Sequence, residues 1–246
     1  MEAFQKKYEK QIAELAETAA KLGRLGYVAS HGGNLSWKMD DGTILITPTK
    51  VPKVDMAFDD ITAVDSSGAL IFAANGRKPT GETQMHTHIY SLRPDLRSLI
   101  HAQPPVLTGF SMTDSGLLAR PILPEPIIEL GPILSIPYTE VVSMDLAEKF
   151  DAVVPFSNAW LMKNHGITIG SADTPSRTLG LLQMAEAMAD SIRTAAAIGG
   201  KINEITPEEV EKLDRVRQKR GLPFPGDPAR AGGSLVRSYF GFQKEN

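Results

Sequence analysis

The stretch GYVASHGGNLSWKMDDGTILITP, residues 26–48, decides the expected fold. Within it, Asp41-Gly42 is a strong signal for a two-residue hairpin turn. The turn separates a strand-like segment at 34–39 from an alternating, β-branched segment at 43–47. The sequence therefore predicts a β-hairpin that is entered through the glycine-rich loop at 30–33.

Helical and strand patterns continue on both sides of this hairpin. On the N-terminal side, apolar residues recur at steps of three and four between Phe4 and Leu22, which predicts one long amphipathic helix. Ser143 and Thr206 are the predicted N-caps of two later helices. The other predicted strands lie at 61–64, 69–72, 99–101, 160–162 and 167–169, and the other predicted helices at 82–90, 144–150, 176–198 and 207–220.

The order of these elements predicts one domain over residues 1–246. Helices at both ends surround strands that are joined largely by hairpins, so we expect an α/β fold with a mostly antiparallel central sheet and helices packed on its faces. Neither a composition break nor an internal repeat marks a linker. Residues from about 221 onward are rich in Pro and Gly and are predicted to form an irregular tail.

Composition excludes several classes of function. The chain has no cysteine, so disulfides, thiolate zinc sites and a cysteine nucleophile are excluded. A net charge of -3 gives no electrostatic reason to expect nucleic acid or an anionic membrane as a partner. No apolar run approaches the ~20 residues that span a bilayer, and the N-terminus lacks a signal-peptide core. We therefore expect a cytoplasmic protein.

Two of the five histidines occupy positions typical of metal ligands. His101 ends a predicted buried strand, and the side chain of Gln103 points to the same face of that strand. His165 occupies a tight Asn-His-Gly turn between two predicted strands. Two imidazoles with a carboxylate or amide oxygen make an open site for zinc or a similar divalent ion. The alternative is that both are structural histidines held by hydrogen bonds.

One carboxylate and two loops complete the set of candidate groups. Glu82 opens a predicted helix, where it either complements the helix dipole or serves a site. The loops at 32–36 and 47–50 are dense in backbone N–H and hydroxyl donors. Such loops bind phosphate or carboxylate oxygens, although ordinary turns have the same composition.

Six stretches of the sequence carry a resemblance to a known family. They are GGNLS (32–36), ITPTK (46–50), KPTGETQMHTHIY (78–90), RPDLRSLIHAQPP (93–105), LPE (123–125) and MKNHGITIG (162–170). In order and spacing they resemble the class II aldolase/adducin family, which includes fuculose-phosphate aldolase, ribulose-phosphate 4-epimerase and methylthioribulose-phosphate dehydratase. With the flanking helices, the resemblance covers about residues 8–200.

The resemblance implies a three-layer α/β/α fold, assembled as a homotetramer with active sites at subunit contacts. It implies that His101 and His165 bind a divalent metal, zinc being the first expectation, and that Glu82 is the catalytic acid/base. It also implies where a substrate phosphate is cradled, namely at Gly33, Asn34, Thr49, Thr80 and Gly81.

Four positions depart from the family pattern. Gln103 replaces the second histidine of a usual His-x-His, which weakens zinc binding and favours manganese or magnesium. Gln103 therefore binds the ion weakly, leaves the position to water, or marks lost catalysis. Lys50 replaces a common glycine and is expected to meet a substrate phosphate or carboxylate, while Gly81 replaces a common serine. Glu125 stands where fuculose-phosphate aldolase has a catalytic tyrosine, and it is expected to face substrate or a subunit interface.

Three functional hypotheses follow. The leading one is a metal-dependent lyase that cleaves a ketose 1-phosphate or similar small sugar derivative by retro-aldol chemistry, with a metal-stabilised enediolate and Glu82 transferring the proton. The second is a decarboxylase, dehydratase or epimerase that uses the same groups on a sugar acid or sugar phosphate. The third, which Gln103 supports, is a non-catalytic assembly module like the adducin head.

Overall fold

The structure, a computed structural model, describes residues 2–241 and builds them around one eight-stranded sheet. The strand order is β4-β3-β2-β1-β5-β8-β7-β6, and every neighbouring pair is antiparallel except β6 and β7. The strands are β1 (Asn34–Lys38), β2 (Ile44–Ile46), β3 (Thr62–Val64), β4 (Leu70–Ala73), β5 (Ser98–Ala102), β6 (Leu134–Ile136), β7 (Ala159–Met162) and β8 (Gly166–Ser171). The predicted hairpin at 34–47 is confirmed as β1 and β2.

Eight α-helices within residues 2–241 accompany the sheet. They are α1 (Glu2–Lys7), α2 (Glu9–Arg24), α3 (Thr83–Leu92), α4 (Pro105–Ser111), α5 (Pro124–Glu129), α6 (Met144–Glu148), α7 (Pro175–Ile198) and α8 (Pro207–Lys219). The prediction of one continuous N-terminal helix is wrong at Tyr8, which separates α1 from α2. The Tyr8 hydroxyl lies 3.1 Å from the Thr43 hydroxyl and also contacts the Asp41 carboxylate, so the hairpin turn holds this residue.

Alternation along the strands divides the core between the two faces of the sheet. Adjacent residues such as Leu99 and Ile100 are both fully buried but belong to different clusters, because successive side chains of a strand point to opposite faces. Helices α2, α4 and α7 cover the face of Ile100, and α3 and α6 cover the face of Leu99. The three-layer α/β/α arrangement with a mostly antiparallel sheet is confirmed.

Helix caps fix the elements on either side of the sheet. Ser143 Oγ accepts the backbone N–H of Leu146, as predicted for the N-cap of α6. Helix α4 begins directly after the Gln103-Pro104 step, and its N-terminus is held from outside. The buried Glu186 carboxylate of α7 accepts the backbone N–H groups of Val106 and Leu107 at 2.8 and 2.9 Å. A carboxylate satisfies these helix-end donors and complements the helix dipole, so it fixes the chain next to the end of β5.

The segment after Gly221 forms one helical turn at Arg237–Gly241 and packs on the body of the protein. Leu235 and Tyr239 are buried there against Ile127 of α5 and Val210 of α8. Within residues 2–241, every helix is too short or too polar to cross a bilayer.

Candidate metal centre

Strand pairing brings three chain segments to one edge of the sheet. β1 and β5 are antiparallel, so Asn34 at the start of β1 lies opposite His101 near the end of β5. On the other side, β8 pairs with β5 and places Thr168 opposite His101. The turn that carries His165 leads directly into β8, and Glu82 lies at the N-cap of α3.

Glu82, His101 and His165 meet at this edge, with one potential ligand atom from each lying within 4.8 Å of the others. The Nε2 atom of His101 is 3.7 Å from Glu82 Oε2, and the Nε2 atom of His165 is 3.5 Å from Glu82 Oε1. The two imidazole ring centroids are 4.6 Å apart. Glu82 and His101 are buried, whereas the His165 side chain is 17% exposed and gives the cluster its opening to solvent.

Hydrogen bonding orients His101 for a ligand role. Its Nδ1 atom lies 3.0 Å from the carbonyl oxygen of Ile167, which can only accept. The ring proton is therefore on Nδ1, and the Nε2 lone pair faces Glu82. A carbonyl that fixes the tautomer of a metal-binding histidine in this way is common around metal sites.

Backbone geometry fixes His165. Asn164 has a φ of 55°, and the His165 N–H donates to the Met162 carbonyl oxygen at 3.1 Å, which closes the predicted turn between β7 and β8. Gly166 follows with a φ of 155°, and a Cβ there would lie 2.4 Å from the Ala102 carbonyl oxygen. Only glycine lets the turn approach the end of β5 so closely.

The protonation states suit a cation. Burial lowers the pKa of His165 to about 4, and the neighbouring His101 acts in the same direction, so the ring is neutral near pH 7. Burial opposes the ionised form of Glu82, but His101, the Asn34 amide and His165 outweigh it and lower the pKa of this carboxyl. Two imidazoles and an ionised carboxylate are a donor set that fits zinc and related divalent ions.

Gln103 lies beside this cluster. Its backbone N–H donates to the Tyr27 carbonyl oxygen at 2.8 Å, and its side-chain Nε2 donates to His101 Nε2 at 2.7 Å. The side chain is thus close enough to act as a third neutral ligand. In this arrangement, however, its nitrogen and not its oxygen faces the lone pair of His101.

The loops predicted to cradle an anion run side by side next to the cluster. The Thr49 N–H donates to the Lys78 carbonyl oxygen at 3.0 Å, and the Thr80 N–H donates to the Thr47 carbonyl oxygen at 3.1 Å. Lys50 is exposed and has a φ of 60°, a backbone region that favours glycine, which accounts for the glycine common there in the family.

The other predicted cradle residues are placed differently. Gly33 has a φ of 65°, and a Cβ there would lie 2.7 Å from the His101 carbonyl oxygen, so its backbone touches the cluster. Gly81 is exposed and lies against Val142. The Asn34 side chain donates to Glu82 Oε2 at 2.7 Å and accepts from His86, an interaction that the sequence pattern did not reveal.

Glu125 lies exposed on α5 and does not join the Glu82 cluster in this chain. His86 and His88, which the sequence shows as a second His-x-His, face different partners. His86 Nε2 lies 2.5 Å from Asn34 Oδ1, and His88 Nε2 lies 2.6 Å from an Asp151 carboxylate oxygen. The two rings therefore do not converge on one ion.

Comparisons with known proteins agree with the fold. The family described as "Class II Aldolase and Adducin N-terminal domain" matches residues 13–192. The 3-oxo-tetronate 4-phosphate decarboxylase of Haemophilus influenzae is 28% identical over 80% of this chain and 95% of its own length. The L-fuculose phosphate aldolase of Methanococcus maripaludis is 32% identical over 58% of this chain and 76% of its own length.

Among solved structures, YgbL from Klebsiella pneumoniae superposes with a TM-score of 0.74 at 25% identity, covering 83% of this chain and 98% of YgbL. The family match spans well over half of the chain, and it includes Glu82, His101 and His165. The chain belongs to the class II aldolase/adducin family.

Proposed function

We propose that this chain is a divalent-metal-dependent lyase that cleaves a carbon–carbon bond beside a carbonyl in a small phosphorylated sugar derivative. Retro-aldol cleavage of a ketose 1-phosphate is the leading reaction. The observation that carries the proposal is the convergence of Glu82, His101 and His165, two imidazoles and an ionised carboxylate, at a partly open edge of the sheet.

Glu82, His101 and His165 are the proposed protein ligands when substrate is absent, and Gln103 is the proposed weak fourth. A divalent ion bound there would supply a Lewis acid for the carbonyl group of a substrate. Zinc suits the two imidazoles, and the amide of Gln103 keeps manganese and magnesium as alternatives.

Glu82 is the proposed acid/base. It is the carboxylate nearest to both imidazoles, and its burial keeps bulk water away from a proton that it holds or transfers. In the cleavage direction the ionised Glu82 takes up the proton that the hydroxyl loses as it becomes the aldehyde, and delivers it to the carbon that the broken bond leaves behind; in the condensation direction it removes that proton from carbon and returns it to the new hydroxyl.

The loops at 47–50 and 78–81 are the proposed cradle for the anionic end of the substrate. The hydroxyls of Thr49 and Thr80 and the backbone N–H of Gly33 are the proposed donors, since the backbone N–H groups of Thr49 and Thr80 already donate within the loops, and the exposed Lys50 ammonium supplies a charge. We propose that four copies assemble with these sites at their contacts, where Glu125 of α5 meets substrate or a neighbouring copy.

The test is a product assay with metal-replete protein. Purified protein loaded with zinc, manganese or magnesium is incubated with a panel of ketose 1-phosphates, and aldehyde release is followed by a coupled dehydrogenase. We expect cleavage of at least one sugar and its loss in Glu82→Gln. Protein that holds one divalent ion per chain yet releases no aldehyde across the panel would exclude the aldolase.

Decarboxylation is the second candidate, and one observation favours it. The 3-oxo-tetronate 4-phosphate decarboxylase of Haemophilus influenzae matches 80% of this chain at 28% identity. Release of carbon dioxide from a phosphorylated 3-oxo sugar acid, without an aldehyde product, would select this reaction. Near-zero divalent metal after purification without chelators, with no thermal stabilisation by added zinc or manganese, would select a non-catalytic assembly module instead.

A further inference from the structure

One fully buried histidine next to the site has no part in the proposed chemistry. His86 lies one turn after Glu82 in α3 and is 0% exposed. Its ring spans two polar side chains of β1, with Nε2 2.5 Å from Asn34 Oδ1 and Nδ1 2.7 Å from Ser36 Oγ. Asn34 in turn contacts the Glu82 carboxylate.

The direction of each hydrogen bond follows from the carboxylate. An ionised carboxylate only accepts, so Asn34 turns its amide nitrogen toward Glu82 Oε2, at 2.7 Å. The amide oxygen of Asn34 is then left facing His86. Because that oxygen also only accepts, the proton of the His86 ring must be on Nε2.

The far side of the ring completes the chain. Burial lowers the pKa of His86 to about 3, so the ring is neutral and its Nδ1 atom accepts. Ser36 Oγ is the donor to Nδ1. The hydroxyl of Tyr90 lies 2.9 Å from Ser36 Oγ and donates to the Arg97 carbonyl oxygen at 3.1 Å. From Ser36 through His86 to Asn34, each donor points toward Glu82.

We propose that His86 and Asn34 are positioning residues that hold Oε2 of Glu82 and leave Oε1 as the oxygen that transfers the proton. This inference rests on the proposed acid/base role of Glu82. Oε1 of Glu82 accepts no hydrogen bond from any residue in the described range 2–241, and it lies 3.5 Å from His165 Nε2. Rotation of the carboxylate would leave the buried amide of Asn34 without an acceptor, which is costly.

The same reasoning gives His101 the opposite tautomer. Its Nδ1 faces the Ile167 carbonyl oxygen, whereas the Nε2 of His86 faces the Asn34 carbonyl oxygen. The hydrogen-bond partners of these two buried histidines on the same face of the sheet therefore assign a ring proton to Nδ1 of His101 and to Nε2 of His86. This difference can be measured without any enzyme assay.

The first experiment is long-range ¹H–¹⁵N NMR of ¹⁵N-labelled, metal-free protein near neutral pH. We expect a protonated Nε2 and a bare Nδ1 for His86, and the reverse for His101. The His86 signals are assigned by their loss in His86→Gln. A proton on Nδ1 of His86, or on both of its nitrogens, would overturn the proposal whether or not the protein is a lyase.

The second experiment is a kinetic comparison on the substrate found in the panel. A glutamine at 86 keeps an N–H near the Nε2 position, and a methionine does not. We expect His86→Met to lower kcat by about 10- to 100-fold with KM changed less than about threefold, and His86→Gln to recover most of that loss. His88→Gln, on the outer side of the same helix, is the matched control.

Equal kcat in His86→Met and the wild type, or equal loss in both His86 variants, would contradict the proposal. Circular dichroism and metal content show that each variant is folded and loaded. Should His86→Met fail to fold, the NMR result on the wild type decides alone. Absence of activity in the wild type would count against the proposed lyase, and the tautomer of His86 would still be read directly.

Discussion

Replacement of Gln103 by histidine tests the metal centre most directly. Its side-chain nitrogen donates to His101 Nε2 at 2.7 Å, so an ion that takes the lone pair of His101 must first break this hydrogen bond. The space for an imidazole exists because glycines flank the side chain. A Cβ on Gly32 would lie 3.3 Å from Gln103 Oε1, and a Cβ on Gly166 would lie 3.2 Å from Gln103 Cγ.

The size of the effect can be worked out from these contacts. Loss of the competing hydrogen bond contributes about 1 kcal/mol to metal binding. Exchange of an amide for an imidazole, which zinc prefers, contributes at least about another 1 kcal/mol. Together they correspond to a zinc dissociation constant about 30-fold lower in Gln103→His than in the wild type.

The assay is a competition titration of the apo-protein against a chromophoric zinc chelator, with stoichiometry from elemental analysis. Gln103→Leu is the matched control, since it keeps much of the bulk of the side chain without a donor, an acceptor or a metal ligand. The zinc affinity of this control variant is lower than that of the wild type if the Gln103 amide oxygen is a ligand. It is slightly higher if the amide only competes with the ion for His101 Nε2. A folded Gln103→His whose zinc affinity stays within about threefold of the wild type would refute the reasoning, because residue 103 would then not reach the ion.

Three further predictions concern the same region. His165→Ala removes one of the three clustered donors, and elemental analysis should find less than about a tenth of the wild-type metal; unchanged loading would overturn the site assignment. Gly33→Ala places a Cβ 2.5 Å from Val28 Cγ1 at a φ of 65°, so urea unfolding should show a loss of about 3 kcal/mol. Gly42→Ala, with a φ of 86° and open space, should lose only about 1 kcal/mol, and equal losses would contradict the steric argument. Burial lowers the pKa of His86 from 6.5 in the unfolded state to about 3 in the folded state. Below about pH 6.5 the unfolded state therefore binds a proton that the folded state does not, and the free energy of unfolding decreases as the pH is lowered. His86→Gln should therefore recover about 2 to 3 kcal/mol of that loss at about pH 4.5 in urea unfolding, and an unchanged pH dependence would show that His86 is not neutral in the fold.

Elements with a local cause could be predicted from the sequence. The Asp41-Gly42 turn contains its own conformational requirement, since Gly42 has a φ of 86°. The Ser143 N-cap likewise depends on a residue three positions away. Helix α4 was missed because its cap comes from Glu186, which is distant in the chain. Strand β6 was missed because it has three residues and pairs in parallel with β7.

The site residues likewise divide into those that could be predicted from the sequence and those that could not. His101 and His165 could be singled out because each lies at the end of a strand or in a turn, and the pairing of β5 with β8 then brings them together. The roles of Asn34 and His86 could not be predicted, because they depend on which buried atom faces which. An asparagine in a glycine-rich loop and a histidine in a helix look alike in sequence whether they bind phosphate, bind metal or orient a carboxylate.

The two departures from the family pattern in the cradle, Lys50 and Gly81, are each accompanied by a non-glycine residue with a positive φ. Lys50 adopts a φ of 60°, which costs about 1 kcal/mol for a side chain where the family has glycine. At Gly81 the missing side chain leaves room for Val142, whose Cγ1 would lie 2.9 Å from a Cβ at that position. Val142 itself has a φ of 60°, a costly conformation for a β-branched residue.

Compared with the family pattern, these loops therefore carry the ammonium group of Lys50 and the apolar side chain of Val142, and they lack a serine hydroxyl at residue 81. On the proposed role of the cradle, the anionic end of the substrate meets a mobile charge at Lys50 and not a short hydroxyl at residue 81. A lysine ammonium is a point charge that serves phosphate and carboxylate alike, whereas a set of fixed hydroxyl donors is shaped for one of them. On the proposed role of the cradle, we therefore expect Lys50 and Gly81 to change which anionic group the site prefers.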